Sequence, residues 1–367
     1  MERVRLSVIV ILAAAAGTAR QAHAESDRLG RLDWGGLTPA ALARAAQEKK
    51  GAAGRATARV IEVAQRTLEQ SLPAASSIHM QGLVFTDPDF KRSQAATKDL
   101  PYLYNWAMCA RVAHEPLASR CLAKASETAL AWVAAYVPTG DPIDESRLVP
   151  VLLAIDLLAP VLSAGRRERL LAWTENLAQA GDELYSSWKP TDGRRSNNWA
   201  AWRLLLRGMS ATITGYEGRE RETRELLKEF VAVNILADGG TKDFHDRDAL
   251  HYHVYDLEAL VQLALYCPRI VGPAEDTAIE KAVRFIEPYF AGRSRHVEFA
   301  RTGVKFDVVR RAAGDPSFQN APWDPAGARQ LLRLARAKYP AVASWTAGVV
   351  DERYSPMVKQ LAALHAR

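Results

Sequence analysis

Apolar side chains recur every three to four positions along most of this chain. That spacing is the period of an amphipathic α-helix, and Gly, Pro and Asp-Gly signals separate one periodic segment from the next. The pattern predicts helices at residues 38–50, 54–71, 94–114, 117–136, 145–163, 166–187, 196–214, 219–236, 247–268, 276–290 and 325–338. Residues 296–309 are less periodic and are a candidate for short strands.

Long helices joined by short turns favour antiparallel helical hairpins. The chain contains no low-complexity linker, no sharp shift in composition and no repeat of fixed sequence, which argues against the common solenoid families. We therefore predict one all-α domain. Such hairpins can curve into an (α/α) toroid, an incomplete barrel whose inner wall is a cleft, although helix number alone leaves an α-solenoid or an irregular bundle open.

The first 24 residues have the features of a secretory signal. A positively charged start precedes an apolar run at 6–17, and an Ala-x-Ala motif ends at Ala24. The apolar run is about 12 residues long, whereas a membrane anchor needs roughly 20. We expect residues 1–24 to be removed, leaving 25–367 as a single secreted or periplasmic domain.

Composition and charge exclude several classes of protein. Hydrophobic residues make up 48% and charged residues 25% of the chain, which is ordinary globular usage and excludes disordered, collagenous and disulfide-stapled miniproteins. No later apolar run is long enough for an integral membrane protein. The formal net charge of +6 becomes +4 without the leader, and charges of both signs alternate along segments such as 219–225. We therefore expect no nucleic-acid partner, and the mild positive charge suits an anionic substrate.

The three cysteines follow no metal-ligand spacing. In an oxidising compartment Cys109 and Cys121 could pair across a helical hairpin, and buried free thiols are the alternative.

Two polar segments are unusual for a helical core. Residues 192–202 read Asp-Gly-Arg-Arg-Ser-Asn-Asn-Trp-Ala-Ala-Trp, so two amides stand at a helix start between two arginines and two tryptophans. Helix capping by Asn197 and Asn198, with the tryptophans in the core, is the simpler interpretation of this segment.

Residues 243–256 contain three histidines and two tyrosines at another helix start. His251 and His253 are two residues apart, so they point to different helix faces and are poorly placed to share a metal ion. We expect no metal and no cofactor. Tyr252 is flanked by Asp248, Asp256 and Arg247, and it could act as an acid or base if neighbouring cations lower its pKa. The alternative is an amphipathic tyrosine with a buried ring and a solvated hydroxyl.

The Asn-Asn-x-x-x-Trp element, followed about 50 residues later by Arg-x-Ala-Leu-x-Tyr-His, resembles the alginate lyase superfamily of polysaccharide lyases. Residues 140–145, 296–299, 305–307 and 323–326 are similar to further family segments. The resemblance covers most of 80–340. It implies an (α/α) toroid, export from the cytoplasm, a monomer that binds an anionic polysaccharide, and metal-free β-elimination at 1,4-linked uronic acids.

The resemblance also implies residue roles. Tyr252 would abstract the C5 proton and protonate the leaving O4, and Asn198 would help to neutralise the uronate carboxylate. The remaining candidates either lie close to these two residues in the sequence or carry an aromatic ring that could stack on a sugar. Arg247 or Arg195 would be the charge partner, and substrate-binding candidates are Asn197, Trp199, Trp202, His251, His253, Tyr104 and Trp106.

The chain departs from the family pattern at Trp199, where alginate lyases carry histidine. Either His251 or His253 substitutes for it, or the substrate is a different uronan such as glucuronan, or the chain is inactive. Two other classes therefore stay open: a non-catalytic uronan-binding protein, and an inverting glycoside hydrolase that uses two opposed carboxylates. Candidates for such a pair are Asp141, Asp144, Asp246 and Asp248.

Overall fold

The computed structural model describes residues 28–49 and 51–346, so the predicted signal segment lies outside the described residues. Within these ranges the chain is α-helical and contains no β-strand, only isolated bridges such as the one between Val297 and Pro322. No helix in this part of the chain is both long and apolar enough to cross a membrane.

The elements are numbered in chain order. The α-helices are α1 (Pro39–Glu48), α2 (Gly51–Thr67), α3 (Pro88–Thr97), α4 (Pro101–Val112), α5 (Leu117–Ala135), α6 (Pro142–Glu145), α7 (Val149–Leu158), α8 (Ala164–Ser187), α9 (Asn198–Thr214), α10 (Glu217–Asn234), α11 (Lys242–Arg247), α12 (Leu250–Tyr266), α13 (Pro273–Phe285), α14 (Glu287–Phe290), α15 (Lys305–Ala312), α16 (Arg329–Lys338) and α17 (Pro340–Trp345). Short 3-10 turns cover Ser146–Leu148, Gly193–Ser196, Pro316–Phe318 and Pro325–Ala328.

The helices form two layers. In the inner layer α2, α4, α7, α9, α12 and α16 contact one another in that order, and in the outer layer α5 packs on α8 and α10 on α13. Every residue of α7 is buried, as expected for a helix enclosed on all sides. Hairpins such as α4–α5 and α9–α10 connect the layers. The all-α fold, an incomplete (α/α) toroid, is thus confirmed.

Three predicted helices are interrupted: 276–290, which divides at Ile286 between α13 and α14, and two whose breaks have an identifiable cause. Proline has no backbone N–H to donate to the carbonyl four residues earlier and is favoured in the first turn of a helix, so α3 ends at Thr97 and α4 begins with Pro101 inside the predicted helix 94–114. Asp248 adopts a left-handed conformation with φ of 51° and ends α11, which divides the predicted helix 247–268. The strands considered for 296–309 are wrong, because this segment is loop followed by the start of α15.

A disulfide between Cys109 and Cys121 joins α4 to α5, with a Cα–Cα distance of 5.9 Å, while Cys267 is a buried free thiol. The bond resolves the alternative left open by the sequence. It closes a loop with a sequence separation of 12 residues and restricts the unfolded chain.

Reducing this disulfide is expected to lower the free energy of unfolding by about 3 kcal/mol, because the unfolded state regains loop entropy. Urea unfolding of the same protein with and without reductant measures this difference in the free energy of unfolding. No side chain is replaced, so the comparison creates no cavity. A Cys109→Ala/Cys121→Ala double variant should be insensitive to reductant, whereas a Cys267→Ala variant should respond as the wild type does. Identical urea midpoints for oxidised and reduced wild type would contradict the expectation.

Candidate active site

The two polar segments singled out in the sequence meet at Asp243. Its Oδ2 accepts hydrogen bonds from the backbone N–H of Asn198 at 2.7 Å and from Asn198 Nδ2 at 2.9 Å. Both residues are buried, at 3% exposure each. Burial raises the pKa of the Asp243 carboxyl, while Arg247 and Asn198 act in the opposite direction. Asp243 was not predicted as a site residue, yet it joins the start of α9 to α11.

Arg247 connects this pair to the tyrosine. Its Nε lies 3.6 Å from Asp243 Oδ1, and its Nη1 lies 3.1 Å from Oδ1 of the fully buried Asp307 in α15. The guanidinium carbon lies 3.6 Å from the centroid of the Tyr252 ring, which is a close cation–π contact. Two buried carboxylates therefore fix one arginine over the face of Tyr252.

Tyr252 is half-buried near the start of α12. Its ring meets Phe299 and Phe318 edge-on, at centroid distances of 6.1 Å and 6.2 Å. Burial raises the pKa of Tyr252 to about 12, and Arg247 opposes this rise. The expected effect of the cation is present, but the net shift is upward because desolvation of the phenolate is the larger cause.

His251 stands beside the tyrosine, with ring centroids 5.3 Å apart. Its side chain is exposed to solvent, yet desolvation by surrounding protein lowers the pKa of its ring, with Arg247 acting in the same direction. A side chain combines solvent access with dense surroundings on a concave surface, so we place His251 in a cleft. Its backbone N–H donates to Glu298 Oε1 at 3.0 Å.

The assignment of His253 to substrate binding is wrong. The ring is fully buried: Nδ1 accepts the backbone N–H of Thr241 at 3.1 Å, and Nε2 lies 3.0 Å from the carbonyl oxygen of Ala282, to which it donates. Burial lowers the pKa of His253 to about 4, so the ring is neutral. Both nitrogens are used within the core.

Three proposed sugar-stacking aromatics belong to the core instead. Tyr104 is fully buried and stacks on Trp34 at 6.3 Å, and Trp106 is fully buried with its Nε1 donating to Thr67 Oγ1 at 3.0 Å. Trp202 is 6% exposed and packs on Tyr255 at 5.1 Å. None presents a free ring face to a sugar, because each lies on the apolar side of its helix.

Asn197 and Arg195 stabilise the turn that leads into α9. Asn197 is the N-cap, and its Oδ1 accepts the backbone N–H of Trp199 at 3.1 Å. The Arg195 guanidinium donates to the backbone carbonyls of Tyr185, Trp188 and Lys189. These bonds correct the expectation that Arg195 is the charge partner of the substrate, because its donors hold the end of α8.

Trp199 is the aromatic candidate that keeps an accessible surface. It meets Trp188 edge-on at 5.7 Å, and the Arg194 guanidinium carbon lies 4.6 Å from the Trp188 ring and 5.4 Å from the Trp199 ring. Asp192 accepts two side-chain hydrogen bonds from Arg194, at 3.0 and 2.7 Å, and these bonds fix the orientation of the guanidinium. Half-buried Trp199 and Arg194 pack on the buried Trp188 and form a platform beside the start of α9.

The carboxylates considered for a hydrolase each have local partners. Asp141 caps α6, Asp144 accepts the backbone N–H groups of Met80 and Gln81, and Asp246 pairs with Lys242. The fourth, Asp248, pairs with Arg301. Among the described residues, no three His, Cys, Asp or Glu side chains are grouped so that they could hold a metal ion.

Comparisons with known protein families and solved structures identify the family to which the chain belongs. A model of the alginate lyase family matches residues 94–296, more than half of the chain. A solved structure of a histidine-to-alanine variant of alginate lyase A1-III complexed with a tetrasaccharide is similar in fold: the TM-score is 0.51 at 16% sequence identity, and the match covers 85% of this chain and 94% of that one. The apo form of the same variant has a TM-score of 0.48 at 16% identity, with coverages of 84% and 93%. A search of curated proteins finds no match. Together, the family match and the fold place this chain in the alginate lyase family of polysaccharide lyases.

Proposed function

We propose that the protein cleaves a β-1,4-linked polyuronate, either the polymannuronate of alginate or glucuronan, by β-elimination that leaves 4,5-unsaturated uronate ends. The observation that carries the proposal is the position of Arg247, which lies over the ring of Tyr252 and is held by Asp243, the same carboxylate that binds Asn198. An acid–base group, a cation and an amide are thereby linked through direct contacts.

The chemistry requires these three groups. The C5 proton of a uronate is weakly acidic while the adjacent carboxylate is charged, and donors at that carboxylate stabilise the charge that develops when the proton leaves. Arg247 and Asn198 would supply this stabilisation. Tyr252 would take the C5 proton and return a proton to the leaving O4. One residue suffices for both transfers because H5 and O4 lie on the same face of the ring in β-1,4-linked mannuronate and glucuronate.

We also propose that His251 takes the place of the family histidine that Trp199 replaces. Its ring is beside Tyr252, and the lowered pKa favours the neutral form, which can accept or donate a hydrogen bond. Burial removes His253 from consideration. Trp199 would instead offer an accessible ring, next to Arg194, to a neighbouring sugar.

We also propose how the chain is processed and where it works. Residues 1–24 would be a cleaved signal peptide, and 25–367 a single monomeric domain in the periplasm or outside the cell, working without a cofactor. Export to an oxidising compartment is supported by the disulfide between Cys109 and Cys121.

An absorbance assay tests the reaction. On polymannuronate, polyguluronate, glucuronan and hyaluronan, we expect an ultraviolet absorbance rise on polymannuronate or glucuronan, because the product carries a C4=C5 double bond beside the carboxylate. Shorter chains without new absorbance would identify a hydrolase. Uronan binding without chain shortening would identify a binding protein, and either result would refute lyase activity.

A further inference from the structure

A buried amide connects the turn before α9 to the helix that carries Tyr252. Asn234 is the last residue of α10, and its Nδ2 donates to the backbone carbonyl oxygen of Ser196 at 3.2 Å and to Oδ2 of Asp256 at 2.8 Å. These two bonds use both hydrogens of the amide nitrogen. Ser196 lies two residues before Asn198, the first residue of α9, and Asp256 follows Tyr252 by about one turn of α12.

The two ends of this connection differ in how firmly they are held. The 3-10 turn Gly193–Ser196 contains no buried residue, whereas most residues of α12 are buried. Asn234 and Asp256 are themselves fully buried. The connection therefore ties a surface turn to a rigid helix. Since α9 begins directly after this turn, the position of Asn198 relative to Tyr252 depends on it.

The polar pair contributes geometry more than net stability. Burying an amide and a carboxyl costs desolvation free energy that two apolar side chains would avoid. Hydrogen bonds offset this cost and, unlike apolar contacts, fix the direction in which the groups meet. The carbonyl of Ser196 is thus held at a defined place by a group on α10 that is itself fixed by α12.

Asp256 serves this role as a neutral acid. In the described part of the chain no cation pairs with its carboxyl, and burial raises its pKa, with the negative charge of Asp243 acting in the same direction. Neither Asp256 Oδ1 nor Asn234 Oδ1 has a hydrogen-bond partner among residues 28–49 and 51–346. A proton on the carboxyl supplies a donor to this pair of unpaired acceptors. The neutral pair adds no negative charge beside Asp243, whose charge stays available to Arg247.

We propose that Asn234 and Asp256 are positioning residues for the elimination, which hold Asn198 through the Ser196 carbonyl at the place where it and Tyr252 reach one uronate ring. The inference rests on the proposed function, because it assumes that Asn198 and Tyr252 act on the same sugar. A displacement of about 1 Å in such a group can lower a rate about 10²-fold. This connection is separate from the one that runs through Asp243 and Arg247.

A double-mutant cycle in the uronan absorbance assay tests whether Asn234 acts through Asn198. Asn234→Ala is expected to lower kcat about 10- to 10²-fold with a smaller change in KM, because the amide acts on charge that develops during the reaction. In an Asn198→Ala background the positioned group is gone, so Asn234→Ala should lower kcat little further. Rates are compared at a temperature where urea unfolding shows every variant to be folded. The same fold-loss in both backgrounds would overturn the inference.

A conservative variant and a matched control separate positioning from stability. Asp256→Asn keeps a neutral group with a donor and an acceptor and should retain wild-type kcat, whereas Asp256→Ala should resemble Asn234→Ala. Thr223→Val is the control, because it removes a buried hydroxyl near the other end of α10 that donates to the Arg219 carbonyl at 2.6 Å. It should lower the free energy of unfolding and leave kcat unchanged.

Two further results would overturn the positioning role: wild-type kcat in folded Asn234→Ala, or the same loss of kcat in Asp256→Asn as in Asp256→Ala. The proposed function fails in a different way. In that case the wild type would cleave no uronan, or Asn198→Ala alone would keep wild-type kcat.

Discussion

Replacing Tyr252 with phenylalanine is expected to lower kcat by about 10²- to 10⁴-fold, the usual contribution of a general acid–base group. The ring would keep its contacts with Arg247, Phe299 and Phe318, so KM and the free energy of unfolding should change little. Initial rates of absorbance increase on the preferred uronan give both constants, and urea unfolding checks stability.

Tyr104→Phe is the matched control, because Tyr104 is fully buried in the core and its hydroxyl has no hydrogen-bond partner among residues 28–49 and 51–346. This variant should retain wild-type kcat. The pH profile gives a second test. With a Tyr252 pKa of about 12, the phenolate fraction increases with pH throughout the neutral range, so wild-type kcat/KM should rise towards alkaline pH. Full activity in Tyr252→Phe would remove Tyr252 from its proposed role.

Replacing Arg247 with glutamine is expected to reduce both activity and stability. Asp243 and Asp307 would be left buried without their cation, and breaking a buried ion pair in this way costs about 3–5 kcal/mol in the free energy of unfolding. We expect kcat/KM to fall about 10²- to 10³-fold, as when one donor to a developing anion is removed.

Arg247→Lys separates the two effects. Lysine restores the charge between the carboxylates but lacks the planar guanidinium above Tyr252, so stability should recover more than kcat/KM. Rates are compared at a temperature where urea unfolding shows each variant to be folded. If folded Arg247→Gln retains wild-type kcat/KM, Arg247 is a structural ion-pair residue alone.

Apolar periodicity predicts the order of the helices. Their interruptions depend either on the residue at the break or on contacts with residues that are distant in sequence. The break at Pro101 can be predicted from the sequence, because proline itself interrupts a helix. The break at Asp248 cannot, because its left-handed conformation is held by Arg301, which lies 53 residues further along the chain and donates to its carboxylate. The strand considered in 296–309 failed for a similar reason: Phe299 has a positive φ and donates its N–H to the carbonyl of Asp248.

Residue types predicted Tyr252, Asn198 and Arg247, which the structure brings together through Asp243, whereas burial separates several other candidates from them. Asp243 was missed because Asn198, which binds it, lies 45 residues away, and Asp307 was missed because its partner Arg247 lies on a different helix. The spacing of residues along α12 could have separated the two histidines. His253 lies on the same helix face as Leu257 and Leu260, whereas His251 lies on the same face as Tyr255 and Glu258. A helical projection would therefore have put His253 in the core and His251 in the cleft. Tyr104, Trp106 and Trp202 lie in equally apolar surroundings.

The helix break at Asp248 also affects the electrostatics of the cleft. A continuous helix from residue 242 to 266 would place Tyr252 in its middle, where peptide dipoles cancel along the axis. Because α12 begins at Leu250, Tyr252 and His251 instead lie in the first turn, which has no acidic residue of its own. The partial positive charge of a helix start thus lies beside Tyr252, and the backbone favours an acidic group there, as the hydrogen bond from the His251 N–H to Glu298 shows.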